Sequence, residues 1–302
     1  MASHPPARCC TVGVKHEGTP TGEIKNIGDN TDTAILILTD VIGHEFVNAQ
    51  LIADQFAANG YLVAMPDLFH GDPIPLNRPP GFDLQAWLKG PPGHGPSTVD
   101  PVIAALIHEL RTSCSVRRLG AVGYCFGGKY VCRFLAEGKG IDVGFTAHPS
   151  FVDVAELRGI KGPLAIAAAE TDAIFPAEKR RESEDVLKEL GVPYQLCLYS
   201  GVEHGFAVRA DLSGRARRFA KEQAFEQAVV WFNEWLRGGE NIWLESSRVS
   251  PRPEDILFFV KMEVTASDSV IDAEGQGSSK RRQKIFVDGI VPGESPASSH
   301  MV

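Results

Sequence analysis

The chain has 302 residues and a formal net charge of −8, from 30 Lys and Arg against 38 Asp and Glu, with 43% hydrophobic and 23% charged residues. This is ordinary globular composition with no basic footprint for nucleic acid. No apolar run approaches the ~20 residues of a membrane helix, and the opening MASHPPARCC lacks the apolar stretch of a secretory signal. Six Cys without a C-x-x-C pair read as free thiols in a reducing, cytoplasmic compartment.

Residues 34–39 are a continuous apolar run, as in a strand covered on both faces. Residues 45–59 carry Phe46, Leu51, Ile52 and Phe56 at helical spacing and stop at Asn59-Gly60. Residues 61–65 read as a second buried strand. Residues 68–99 then break the pattern with seven Pro and five Gly. A loop that long inside a compact domain predicts a lid or pocket wall, with Phe82, Leu84, Trp87 and Leu88 as its apolar teeth. Asp100-Pro101 reads as an N-cap followed by Pro at the first position of a helix running to Arg111. Strands are expected over 119–124, 143–147, 164–168 and 194–199. Helices are expected over 127–137, 177–190 and 217–236. Repeated β-then-α order predicts a mostly parallel sheet with helices on both faces.

Beyond Gly238-Gly239 the composition changes. Residues 239–302 hold 10 Ser, against 8 in residues 1–238. The expectation is one α/β domain over 1–238 and a Ser-rich, largely disordered tail over 239–302. No heptad or exposed helix face marks an oligomer contact.

The most informative segment is Gly123-Tyr124-Cys125-Phe126-Gly127-Gly128. It lies between an expected strand and an expected helix, the context of a nucleophile elbow. Such a sharp turn needs small residues two before and two after the nucleophile, and Gly123 and Gly127 fill those positions. Cys125 then sits at a helix N-terminus, where partial positive charge favours the thiolate. The N–H of Phe126 is placed for a developing oxyanion. The bland alternative, a small buried core Cys, does not account for both glycines. The other five Cys read as non-catalytic, Cys9 and Cys10 because they fall in a mobile N-terminus. Cys132, seven residues along the same helix, is ~10 Å from Cys125 and too far to pair with it.

Triads of this fold class run nucleophile, acid, histidine along the chain. Of the three downstream histidines, His300 lies in the tail and His148 reads better as a pocket wall. His204, directly after the last expected strand, is the base. Asp172, after strand 164–168, is the acid that orients it, preferred over Glu170 and Asp153. His44, His70, His94 and His108 are scattered singly and read as loop or surface residues. No zinc-like ligand pattern is present, so no metal or cofactor is expected.

These pieces together resemble the dienelactone hydrolase family. The resemblance spans most of residues 10–238. It rests on Gly-Tyr-Cys-Phe-Gly-Gly at 123–128, Asp172 with Pro176, His204-Gly205-Phe206, Thr39-Asp40-Val41-Ile42-Gly43 and the run from Asn59 to Phe69. The wording looks most like the fungal branch. The resemblance implies an α/β-hydrolase fold and hydrolysis of a small ester or lactone by a Cys-His-Asp triad. It further implies that Val41 supplies a second oxyanion N–H and that Asp40 modulates the nucleophile, one methylene shorter than the Glu of the bacterial pattern. Arg209, offset by one position, would hold a substrate carboxylate, with Arg78 as its counterpart. Trp87, Phe206 and His148, with Phe151 and Phe175, would shape the pocket. The alternatives are an ester or thioester hydrolase accessory to fungal secondary metabolism, and a binding protein that keeps the pocket without catalysis. The intact triad argues against the latter.

Overall fold

The computed structural model describes residues 2–21, 32–238 and 259–260. The tail expected to be disordered lies outside the described residues, apart from two residues of backbone. Six parallel strands order as β6-β5-β4-β3-β1-β2. These are β1 (Thr33–Leu38), β2 (Leu62–Ala64), β3 (Arg118–Tyr124), β4 (Val143–Ala147), β5 (Leu164–Thr171) and β6 (Tyr194–Glu203). The backbone of Phe259–Val260 adds β7, parallel to β2. The central strands are buried almost throughout, which is why β1 and β3 read as unbroken apolar runs.

Helices α1 (Val47–Ala58), α3 (Pro96–Thr112), α4 (Gly127–Phe134), α6 (Ala177–Leu190) and α8 (Arg215–Trp235) correspond to the expected ones. Gly191 ends α6 at φ 68°, a left-handed conformation that glycine takes without strain. Three short helices were not expected: α2 (Leu84–Lys89), α5 (Val154–Arg158) and α7 (Phe206–Arg209).

One boundary is corrected. Helix α3 begins at Pro96, and Pro101 lies inside it. Pro96 is the proline at the first turn, where its missing N–H costs nothing. The Asp100 carboxylate does not cap; it pairs with Arg133 of α4.

The long segment 68–99 is not a loose excursion. Asp83 caps α2 by accepting from the N–H groups of Gln85 and Ala86. Trp87 stacks on His94 with ring centroids 4.1 Å apart and also packs against Phe69 and Phe126. His94 is 2% exposed and His44 7%, so neither is the surface residue the sequence suggested. His94 stacks on Trp87, with Asp72 at 3.1 Å from its ring, and Asp67 lies 3.6 Å from the ring of His44.

The N-terminus departs most from expectation. Residues 2–14 form a strap held to the domain by backbone hydrogen bonds. Ser3 and His4 N–H donate to the carbonyls of Val152 and Ile174, Phe151 N–H donates to His4, and Val14 N–H donates to Arg209. Cys10, read as part of a mobile segment, is 1% exposed. The strap is ordered because it satisfies backbone donors and acceptors of the site loops.

Candidate active site

Cys125 follows β3 at the first residue of a tight turn, with φ 50°. That left-handed value is costly for a residue with a side chain and is held only by its surroundings. The glycines explain how. A Cβ on Gly123 would lie 2.6 Å from the Gly127 carbonyl oxygen and from Val131. A Cβ on Gly127 would overlap the carbonyl of Leu38 in β1. The elbow can therefore close against β1 only with glycine at both places. Gly127 N–H donates to the Thr39 carbonyl and Cys125 N–H to that of Ala147, pinning the turn between strands.

His204 follows β6 and Asp172 follows β5. The His204 Nε2 lies 3.1 Å from Cys125 Sγ, and its Nδ1 lies 2.9 and 3.0 Å from the two Asp172 oxygens. Asp172 Oδ1 also accepts from the N–H groups of Ile174 and Phe175, which fixes the carboxylate. All three residues are buried. Burial alone would raise the Cys125 pKa. The Cys10 thiol, the charge and hydrogen bond of His204, and Arg209 reverse this and hold it well below 9.0. Burial would likewise lower that of His204, but the Cys125 charge and the Asp172 hydrogen bond lift it to about 10. Asp172, penalised by burial, is held below the usual carboxylate value by His204 and the two N–H donors. Both shifts favour thiolate and imidazolium over the neutral pair.

Among the described residues the N–H groups of Val41 and Phe126 donate to no acceptor, so both are available to an oxyanion. Asp40 does not hydrogen bond to Cys125. Its Oδ1 accepts from Ile42 N–H, and its Oδ2 pairs with Arg209. Arg209 is 2% exposed and also donates to the carbonyls of Cys9 and Val12. Its guanidinium is thus turned to Asp40 and the strap. A buried carboxylate and a buried guanidinium within reach of each other pair because neither can stay charged alone. His148 is wholly buried, with a positive φ of 39°, and neither ring nitrogen has a hydrogen-bond partner among the described residues. Its ring faces His204 and Phe206 at 5.0 and 5.7 Å between centroids. Burial, His204 and Arg209 push its pKa well below 6.5, so it is neutral. An open cleft of about 230 Å³ runs beside the strap past Val12, Val14, His204, Phe206 and Arg209.

The profile of the Dienelactone hydrolase family matches residues 25–236. The chain belongs to the dienelactone hydrolase family. It is 53% identical over 253 residues to hydrolase tropI of Talaromyces stipitatus, covering 78% of this chain and 99% of that one. It is 50% identical over 248 residues to hydrolase pyvD of Aspergillus violaceofuscus, covering 78% and 100%. Among solved structures it is similar to a dienelactone hydrolase-like promiscuous phosphotriesterase from metagenomic libraries. That likeness has a TM-score of 0.54 at 16% identity and covers 69% of this chain and 88% of the other. The chain is accordingly a hydrolase of the α/β-hydrolase fold. No helix among the described residues is long and apolar enough to cross a membrane.

Two site residues escaped the sequence reading. Ser150 Oγ lies 3.5 Å from Cys125 Sγ. Cys10 Sγ lies 3.4 Å from His204 Nε2, across 194 positions of sequence. No local pattern announces either, because each reaches the triad only through the fold. Cys10, Cys125 and His204 form a group of potential metal ligands that the sequence pattern did not suggest.

Proposed function

We propose that the protein hydrolyses an ester or lactone through a covalent acyl-enzyme on Cys125. The observation that carries this reading is the Cys125–His204–Asp172 chain of contacts, with the N–H groups of Phe126, next to the nucleophile, and Val41 unpaired among the described residues. The Cys125 thiolate attacks the acyl carbonyl, and the N–H groups of Val41 and Phe126 stabilise the oxyanion. Collapse of the tetrahedral intermediate breaks the C–O bond, and the imidazolium of His204 gives its Nε2 proton to the leaving oxygen. Neutral His204 then takes a proton from water, which attacks the thioester. The acid leaves, and thiolate and imidazolium return. Asp172 keeps the second proton on Nδ1 throughout. In a lactone the leaving oxygen stays tethered to the acyl group.

Trp87 packs against Phe126, and His148 packs between His204 and Phe206, which favours an apolar or aromatic acyl group. Cys125 is wholly buried, and the strap brings Cys10 Sγ within 4.8 Å of its Sγ. The test is Cys125→Ala assayed on a p-nitrophenyl ester and a dienelactone. Turnover should vanish, and unchanged turnover would refute the role of Cys125. A panel of lactones, aryl esters and thioesters then ranks the acyl classes.

A further inference from the structure

The strap brings a third soft ligand to the triad. Cys10 Sγ, Cys125 Sγ and His204 Nε2 all lie within 4.8 Å of one another, and all three residues are buried. A tetrahedral zinc ion, with bonds of about 2.3 Å to sulfur and 2.0–2.1 Å to nitrogen, sets its ligand atoms about 3.5–3.8 Å apart. The observed separations from His204 Nε2, 3.4 Å to Cys10 and 3.1 Å to Cys125, need only a few tenths of an ångström of expansion. His204 is already oriented as a metal-bound histidine would be. Its Nδ1 is held by the Asp172 carboxylate at 2.9 Å, the outer contact that fixes the ring and makes Nε2 a better donor. Two sulfurs and one imidazole select a thiophilic ion over magnesium or calcium.

We propose that Cys10, Cys125 and His204 form a three-ligand site for a thiophilic divalent cation, and that filling it switches the hydrolase off. The ion would occupy the nucleophile and the Nε2 of the base together. It would also tie the strap to the elbow, closing the route to Cys125. Cys10 precedes the part of the chain that the family profile matches, which begins at residue 25. The binding half of the proposal stands on geometry alone; the inhibition half rests on the hydrolytic reading above.

The experiment titrates the full chain with Co²⁺ and Zn²⁺. One equivalent of Co²⁺ should give a thiolate-to-metal charge-transfer band in the near ultraviolet. One equivalent of Zn²⁺ should abolish p-nitrophenyl ester hydrolysis, with recovery on adding a chelator. Cys10→Ala should weaken Zn²⁺ binding by more than about tenfold and remove roughly half of the band, since one of two thiolates is lost. X-ray absorption on the Zn²⁺-loaded unmodified chain should show two sulfur neighbours and at least one imidazole nitrogen, which needs no variant to fold. No stoichiometric band, a single sulfur neighbour, or equal binding by Cys10→Ala would each overturn the site. Full binding without any ester hydrolysis to inhibit would leave the site standing and refute the hydrolytic reading instead. Full binding with undiminished hydrolysis would refute the switch.

Discussion

Replacing Arg209 by Ala separates two roles for this side chain. In the structure its guanidinium pairs with Asp40 where both side chains are 1% exposed, and it donates to the Cys9 and Val12 carbonyls at 3.2 and 3.3 Å. Arg209→Ala therefore strands a buried carboxylate and releases two strap carbonyls. Removing one partner of a buried pair costs about 3–5 kcal/mol. A domain of this size loses about 2–4 °C of Tm per kcal/mol, so the expected drop is roughly 6–20 °C. Asp40→Asn combined with Arg209→Ala leaves no lone charge and should recover about 2–3 kcal/mol of the loss, read as the coupling in a double-mutant cycle. Denaturant and thermal melts of the four proteins supply the measurement. A Tm change below about 2 °C for Arg209→Ala, with a raised KM for anionic esters only, would show that the guanidinium faces substrate instead.

Three further outcomes follow from the site geometry. Asp172→Asn should lower kcat by up to about 10⁴-fold, because an amide can hold the wrong His204 tautomer; a loss under tenfold would remove Asp172 from the triad. The alkylation rate of Cys125 by iodoacetamide should rise less between pH 7 and 9 than that of an ordinary thiol, since, against burial, Cys10, His204 and Arg209 hold its pKa well below 9.0. An ordinary thiol with a pKa of about 8.5 gains roughly 25-fold in thiolate between pH 7 and pH 9, and a similar rise at Cys125 would contradict the resting thiolate. Peptide mass spectrometry separates this signal from Cys9, whose pKa of about 7, lowered mainly by a hydrogen bond from Cys10, makes it rise and then level off. Gly127→Ala should destabilise by about 3 kcal/mol in denaturant melts, because its Cβ meets the rigid backbone carbonyl of Leu38. Gly95→Ala, where nothing lies within 4 Å, should cost about 1 kcal/mol or less; equal losses would discredit the steric account of the elbow.

The sequence by itself determined the chain order of the main strands and helices and pointed to Cys125, Asp172 and His204, which the structure brings into contact. Each carries a local signal. Buried parallel strands are unbroken apolar runs, the elbow needs glycine on both sides of Cys125, and Asp172 and His204 follow strands in the order this fold imposes. The short helices α2, α5 and α7 carry too few residues for a periodic signal, and two prolines near one helix start made its boundary ambiguous. Only the tertiary structure decided the rest. The Asp40–Arg209 pair spans 169 positions and the Cys10–His204 contact 194. Neither residue type nor spacing reveals such contacts, because they depend on which strand end the chain reaches and which buried charge needs a partner there. The same reason converts residues 2–14 from an apparent loose end into the cover of the active site. Composition sees a short segment with no periodic pattern, whereas the fold offers it backbone groups and a buried guanidinium to satisfy.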